Sequence, residues 1–239
     1  MKAVAPQAQP GERTGQRPLF LENGAHLGAT EFLRRYEASP EIKKAELGNR
    51  RVYIASPARL EQHSQPHALV QGWLWNYSLA TPGVATGISA TVCLGPDDVP
   101  QPDALLRILE EHGGHSRLTS KDYLEGAPEL VAEIAPSTAS LNAREKLDSY
   151  RRAGVREYML WRTVDKAVNW WFLEDDEYHP MAPGPTGIFQ SRIFPGLWLD
   201  SAAAIAGDGA RVLATLQEGL HSAEHAIFIE TLKGVRPSK

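Results

Sequence analysis

Positions 130–136 read LVAEIAP, an apolar run with one charged residue, Glu133, inside it and a proline at its end. A short apolar run that stops at a proline is typical of a buried β-strand. A second strand is predicted at 104–109, directly after Asp103. A carboxylate is costly to bury without a partner. If the two strands are neighbours, Asp103 and Glu133 converge at one end of a sheet.

The rest of the chain alternates helical and strand patterns around these two strands, with a polar loop predicted at 110–127. Further strands and hairpins are predicted at 44–54, 84–94, 155–161 and 167–182. Helices are predicted from Thr30, from Pro66, over 142–153 before Gly154, and over 210–232. This order predicts an α/β protein of the α+β mixed-sheet type. Helices flank the mixed sheet, and a C-terminal helix is added.

The chain divides into three predicted segments. Its 239 residues are 42% hydrophobic and 23% charged, which is typical of a globular protein. Residues 1–19 contain prolines and glycines among polar residues without periodicity, and this predicts a flexible tail. We expect one main domain over 20–205, followed by a C-terminal helix and tail over 206–239.

Charge, cysteine content and hydropathy exclude several classes of protein. A net charge of −4 and a pI of about 6.1 exclude a uniformly basic nucleic-acid coat protein. The single cysteine, Cys93, excludes an internal disulfide and a cysteine-cluster zinc site, and it fits a reducing compartment. No apolar run approaches the roughly 20 residues that span a bilayer, and the N-terminus lacks the apolar region of a secretory signal. We expect a cytoplasmic protein without membrane contact.

The two carboxylates and a lysine point to chemistry. Asp103 and Glu133, joined by a backbone carbonyl, would form an open oxygen-ligand site that suits Mg²⁺ or Mn²⁺. Lys146 stands on the predicted 142–153 helix, one turn before Tyr150. From there its ammonium group could orient a water or neutralise charge that develops on a phosphate. Alternatively, Glu133 is a strand-edge carboxylate and Lys146 a solvated lysine, since isolated charged residues mostly lie at the surface.

These residues, taken together and in order, resemble the PD-(D/E)xK nuclease superfamily. Within it they resemble the Uma-type restriction endonuclease family, formerly a bacterial domain of unknown function. The resemblance covers about residues 28–200. The elements that carry it are Pro102-Asp103, the EIAPST run at 133–138, Lys146 with Tyr150, the GVREY run at 154–158, and upstream Glu46-Leu47-Gly48, Ser56-Pro57 and His67.

The resemblance implies a restriction-endonuclease-like fold with a metal-dependent phosphodiesterase site that uses Mg²⁺ or Mn²⁺ and acts on DNA. By position, Asp103 and Glu133 would be catalytic metal ligands, and Lys146 would be the catalytic lysine. Glu46 and His67 would be accessory residues of the same site.

One feature departs from the superfamily pattern. The lysine of a linear E-x-K motif would stand at position 135, where this chain has Ala135. Lys146, supplied from the following helix, would have to replace it. The missing strand lysine and the acidic net charge leave a second interpretation open, a catalytically inactive nuclease-fold protein that binds nucleic acid or regulates. A third is a glycoside hydrolase that uses the two carboxylates and needs neither metal nor lysine.

Two histidines have the spacing of metal ligands. His63 and His67 are four residues apart, and on a helix this spacing can hold zinc. Pro66 lies between them and is typical of a first helical position, which puts His63 before the helix. We therefore expect His63 to face solvent, and His67 to lie in the first turn, near the cleft.

Arginines and one tryptophan suggest macromolecular contacts. Basic residues that could contact nucleic-acid phosphates without reading sequence are Arg50, Arg51, Arg144 and Arg151. The alternative for them is a solvated face. Trp75 lies off the apolar stripe of the helix that starts at Pro66. Together with the amphipathic C-terminal helix, it suggests a homodimer.

Overall fold

The computed structural model describes residues 20–137 and 143–234, so the predicted tail at 1–19 lies outside the described residues. Its helices are α1 (Ala29–Glu37), α2 (Gln65–Ala80), α3 (Ala143–Ala153), α4 (Ser201–Ala206), α5 (Gly209–Leu220) and α6 (Ala223–Gly234). Its strands are β1 (Ala45–Gly48), β2 (Arg51–Ile54), β3 (Val84–Ile88), β4 (Val92–Cys93), β5 (Ala104–Ile108), β6 (Arg117–Leu118), β7 (Leu124–Glu125), β8 (Leu130–Ala135), β9 (Glu157–Arg162), β10 (Ala167–Glu174), β11 (Glu177–Pro180), β12 (Ile188–Gln190) and β13 (Trp198–Asp200).

Six of these strands form one mixed sheet, in the order β11-β10-β9-β8-β5-β3. β8 and β9 are parallel, and the other neighbouring pairs of this sheet are antiparallel. Parallel strands need a crossover connection, and α3 lies in the connection between Ala135 and Glu157. The predicted fold class, a mixed α/β protein with helices flanking a mixed sheet, is confirmed.

The crossover helix α3 ends where the sequence predicts, just before Gly154. The φ angle of Gly154 is 84°, in the left-handed region that glycine adopts without strain. Its N–H donates to the Arg151 carbonyl, and the Val155 N–H donates to the Tyr150 carbonyl. These two bonds form a Schellman motif, which stops the helix and returns the chain towards β9.

Side chains of β8 alternate between the two faces of the sheet, as in any strand. Ala132 and Ile134 belong to the large apolar core that also contains residues of α2. Val131 and Ala135 pack in a second core, on the face covered by α3. Glu133 lies between them in the alternation, so its carboxylate points to the α3 face.

The hairpin of β1 and β2 packs with α1 around a core of its own. Its turn uses Asn49 and Arg50, whose φ angles are 47° and 65°, one residue later than the predicted Gly48-Asn49 turn. Two left-handed residues are typical of a hairpin turn that matches strand twist. Leu47 and Val99 exchange backbone hydrogen bonds of 3.0 and 2.8 Å. The hairpin therefore brings β1 beside the segment that precedes β5.

The prediction of one helix over 210–232 is wrong, because the chain forms α5 and α6 with a break between them. The break falls at His221 and Ser222. The Ser222 hydroxyl accepts a hydrogen bond of 3.2 Å from the His225 N–H, and such a bond caps a new helix. An apolar periodicity that continues through the break hides this serine cap.

Two further predictions are corrected in the same way. The predicted strand at 84–94 is interrupted, because Ser89 has a φ of 46° and separates β3 from β4. The predicted polar loop at 110–127 contains a 3₁₀ turn at Glu110–His112 and the short strands β6 and β7. Both differences concern short strands that form a small separate sheet, β4-β7-β6.

The C-terminal helices contribute to the large core. Val212, Leu216 and Leu232 pack in the cluster that also contains Trp73 and Trp170. The predicted boundary between 20–205 and 206–239 stays a prediction. Within the described ranges, no helix combines the length and the apolar character needed to cross a membrane.

Trp75 is 52% exposed, as predicted from its position off the apolar stripe of α2. The homodimer that this exposure suggests stays a prediction.

The left-handed φ angle of Gly154 at the end of α3 leads to a testable prediction. Gly154→Ala is expected to lower the free energy of unfolding by about 1–2 kcal/mol, since a Cβ is strained at a left-handed φ. No atom lies within 4 Å of that Cβ, so the cost is conformational. Gly72→Ala, inside α2 and equally free of contacts, is expected to raise stability by about 0.5–1 kcal/mol. Urea unfolding measures the free energy of unfolding of both variants. Equal changes in the two would contradict the left-handed conformation assigned to Gly154.

Candidate active site

Asp103 and Glu133 lie at the same end of the central sheet, as the sequence predicts. Ala104 of β5 pairs with Ala132 of β8, so the residues that flank this pair face each other. The Ile134 N–H donates to Oδ2 of Asp103 at 3.0 Å. Both carboxylates are nearly buried, with 4% and 7% of their side chains exposed.

Lys146 reaches Glu133 from α3. Its Nζ lies 2.8 Å from Oε1 of Glu133 and 3.0 Å from Oε2 of Glu46. One helical turn further on, the Tyr150 hydroxyl donates to the same Oε1 at 2.7 Å. Glu133 and α3 are on one face of the sheet, which is why a helix residue can supply the ammonium group that Ala135 lacks.

Glu46 enters the site from β1. Its Oε1 accepts a hydrogen bond of 3.0 Å from the backbone N–H of Gln101, two residues before Asp103. The side chain of Glu46 is 11% exposed. It therefore joins the hairpin, the segment before β5 and Lys146 of α3 into one polar cluster.

Lys44 belongs to the cluster although the sequence analysis missed it. Its Nζ lies 2.9 Å from Oδ1 of Asp103, and its side chain is 28% exposed. The available signal was period-two alternation, which places Lys44 on the same face of the hairpin as Glu46. The described site thus contains three buried carboxylates, Asp103, Glu133 and Glu46, and two ammonium groups.

The electrostatics of the cluster separate its carboxylates. Burial raises the pKa of Glu133 to about 7; Lys146 opposes this rise, while Asp103 and Glu46 add to it. The pKa of Asp103 is lowered, because Lys44, Lys146 and the Ile134 N–H outweigh its burial. At Glu133 burial therefore outweighs the nearby positive charge, whereas at Asp103 the positive charge outweighs burial.

Lys146 keeps its proton at neutral pH. Burial alone would lower its pKa, but Glu133, Glu46 and Asp103 outweigh burial and raise the pKa well above its ordinary value. Burial, together with the Glu133 carboxylate, also raises the pKa of Tyr150 well above the usual range. Both groups are therefore hydrogen-bond donors to Glu133.

His63, in the turn before α2, and His67, in α2, both lie at Asp103. This corrects the expectation that His63 faces solvent. His67 donates from Nε2 to the Asp103 carbonyl at 2.5 Å. The Nε2 atom of His63 lies 3.6 Å from Oδ1 of Asp103. A π-helical turn at Leu60–Ser64 runs directly into α2, so the proline at position 66 does not end the helical path.

These groups line an open cleft with a volume of about 720 Å³. The end of β2 and the residues that follow it, 53–59, line one part of the cleft, and residues 133–136 at the end of β8 line another. Lys44, Glu133 and Lys146 lie at its floor together with Asp103 and His63. The volume is in the range of ligand-binding clefts.

Comparison with known proteins assigns this architecture to a family. The family model Uma2, described as "Putative restriction endonuclease", matches residues 29–202, which include every residue of the cluster. This chain belongs to the Uma2 family.

Among solved structures, this Uma2 chain is similar to one described as a putative nuclease belonging to DUF820, from Anabaena variabilis ATCC 29413. The two are 12% identical, with a TM-score of 0.52, and the match covers 72% of this chain and 98% of that one. At this identity the likeness concerns the fold. A comparison with curated proteins found no match.

The four arginines predicted to contact nucleic acid do not line the cleft of this Uma2 chain. Arg50 pairs with Asp97 at 3.3 Å, and Arg151 donates to the Asp176 carbonyl at 2.8 Å. Arg51 and Arg144 are exposed. Their contacts with phosphate stay a prediction, whereas Arg59, which the sequence analysis did not single out, lies on the cleft wall.

The raised pKa of Glu133 predicts a pH dependence of stability in metal-free buffer. Unfolded Glu133 loses its proton near 4.5, whereas the folded chain holds it until about 7. The folded state binds more protons between these values, so its stability is expected to fall as pH rises through this window. The fall is at most about 3 kcal/mol. Glu133→Gln should flatten the profile.

Urea unfolding between pH 4 and 8, with chelator present, measures this profile. Glu61→Gln, which changes an exposed glutamate, is the matched control and should follow the wild type. A Glu133→Gln profile as steep as that of the wild type would contradict the assignment.

Proposed function

We propose that this chain is a divalent-metal-dependent endonuclease that hydrolyses DNA phosphodiester bonds. The observation that carries the proposal is the cluster of buried Asp103 and Glu133 with the half-buried Lys146, which together line an open cleft. Membership of a family described as restriction endonucleases and the likeness to a nuclease fold support the reaction class. Proteins of related fold can differ in function, so the proposal depends on the site itself.

The donor set fits a hard divalent cation. Oε1 of Glu133 accepts hydrogen bonds from Lys146 and Tyr150, and the Glu133 side chain lines the open cleft. Three carboxylates against two ammonium groups leave the cluster negative. Carboxylate oxygens are the ligands that Mg²⁺ and Mn²⁺ prefer. Asp103 and Glu133 would hold the ion.

A bound ion of this kind would lower the pKa of a water molecule and polarise the scissile phosphate. Lys146, which stays protonated, would donate a hydrogen bond to the attacking water or to a phosphate oxygen. It would not act as a general base, because its pKa is raised. Lys44 is the more exposed of the two lysines and would stabilise the negative charge that develops on the phosphate.

Other residues of the cluster would act as positioning residues. Glu46 and Tyr150 fix the Lys146–Glu133 pair from opposite sides. His67 fixes the backbone of Asp103 through its carbonyl. Arg59 on the cleft wall would contact the DNA backbone, and Arg50, Arg51, Arg144 and Arg151 remain proposed phosphate contacts outside the cleft.

Cleavage of plasmid and linear DNA tests the proposal. We expect Mg²⁺- or Mn²⁺-dependent cleavage that a chelator abolishes. Asp103→Asn and Glu133→Gln are each expected to lower the rate by at least about 100-fold, the effect of removing one preorganised charge-stabilising group. Glu230→Gln, at an exposed ion pair within α6, is the control. Cleavage that persists in both site variants, folded by circular dichroism, would refute the assignment. Metal binding without cleavage would favour the catalytically inactive interpretation.

A transplanted lysine tests the role of Lys146. Lys146→Met is expected to lower cleavage by about 100-fold. Ala135 follows Glu133 by two residues on the same strand face, so Ala135→Lys in the Lys146→Met background should recover part of the activity. Ala135→Lys alone is the control. If Lys146→Met leaves the rate unchanged, Lys146 has only a structural role.

A further inference from the structure

A second group of metal-ligand atoms lies at Asp103, and it contains neither Glu133 nor Lys146. One ring nitrogen of His63, one of His67 and one carboxylate oxygen of Asp103 all lie within 4.8 Å of one another. We propose that these three residues form a site for a transition-metal ion of the Zn²⁺ and Co²⁺ class. The site differs from the proposed Mg²⁺ position in its ligands, because Glu133 takes no part in it.

The first argument is the tautomer of His63. Its Nδ1 lies 3.3 Å from the Ile134 carbonyl, which can only accept, so Nδ1 carries the proton. Nε2 then keeps its lone pair and faces Oδ1 of Asp103 at 3.6 Å. Ligating histidines usually donate their other ring N–H to a backbone carbonyl or a carboxylate in this way, which fixes the ring and raises its basicity.

The second argument is the arrangement of the two rings. His63 lies in the π-helical turn at Leu60–Ser64 and His67 in the first turn of α2, and their ring centroids are 5.6 Å apart. The N–H of His67 is also held by a backbone carbonyl, that of Asp103. Both imidazoles are therefore oriented by main-chain carbonyls, those of Ile134 in β8 and of Asp103 itself.

The third argument is the class of ligand. Two imidazoles and one carboxylate form the three-ligand set of many catalytic zinc and non-haem iron sites, which keep a position open. Mg²⁺ prefers oxygen ligands alone. His63 is 27% exposed and lines the cleft, so an ion can enter from solvent. The ligands therefore select a softer ion than the Asp103–Glu133 pair does.

Lys44 gives the site an internal competitor. Its ammonium group already contacts Oδ1 of Asp103 at 2.9 Å, the oxygen that faces His63. A cation at the histidine site and the Lys44 ammonium group would compete for this oxygen. Lys44→Met is therefore expected to raise the affinity for Co²⁺, in the opposite direction to the histidine variants.

Titration of the full-length chain with Co²⁺ tests the inference without measuring cleavage. Visible absorption follows binding, and paramagnetically shifted proton NMR signals identify imidazole ligands. We expect exchangeable N–H signals from two rings. His63→Ala and His67→Ala should each remove the signal of one ring and lower the affinity by at least about tenfold, the loss that even a supporting residue of a metal site causes. His115→Ala, at an exposed ring, is the control and should leave both signals.

The outcomes separate this inference from the proposed nuclease function. Glu133→Gln should keep both imidazole signals, since it changes only the Mg²⁺ position. Wild-type spectra without shifted imidazole signals, or an affinity that His63→Ala leaves unchanged, would overturn the histidine site whatever the DNA assay shows. Loss of the signals in Glu133→Gln would also overturn it, because the two positions would then be one.

Discussion

The ammonium group of Lys146 holds the polar cluster together. Glu133 is placed in the interior by the alternation of β8, and Glu46 by the packing of β1. Buried charges are costly to leave unpaired, and removing one partner of a buried ion pair typically costs about 3–5 kcal/mol. Lys146 lies between the two carboxylates at 2.8 and 3.0 Å. A strand, a hairpin and a helix that are distant in sequence are thereby fixed at one point.

The two ammonium groups do not neutralise the three carboxylates. The remaining negative charge is what would allow the cluster to bind a cation. A fold optimised only for stability would replace buried ions by apolar residues, which is often neutral or favourable. Here three carboxylates share two ammonium groups, and one carboxylate, Glu133, has a pKa raised to about 7 by its burial. A divalent cation would supply the missing positive charge. An incompletely compensated charge lowers the stability of the fold, and such a loss is typical of functional sites.

Sequence patterns of a few neighbouring residues predicted the strand that carries Glu133 and the end of the helix that carries Lys146. The apolar run around Glu133 and the glycine stop after α3 can be read from neighbouring residues, and the family resemblance supplied the link between Glu133 and Lys146. Lys44 was missed because its partner, Asp103, is 59 residues away and no local periodicity encodes that contact. His63 was misplaced because a proline rule for α-helices does not anticipate a π-helical turn that joins α2. The C-terminal break depended on one serine cap inside a continuous apolar pattern.

The position of the lysine has a consequence for how the site is controlled. A lysine on β8 would be fixed by the ladder of the sheet itself. Lys146 is instead fixed by α3, whose placement depends on Tyr150 against Glu133 and on the turn at Gly154. The packing of α3 against the sheet therefore sets the distance between the ammonium group and the carboxylates. Because helices shift on a sheet more readily than strands slip in their register, the position of the Lys146 ammonium group follows the packing of one helix.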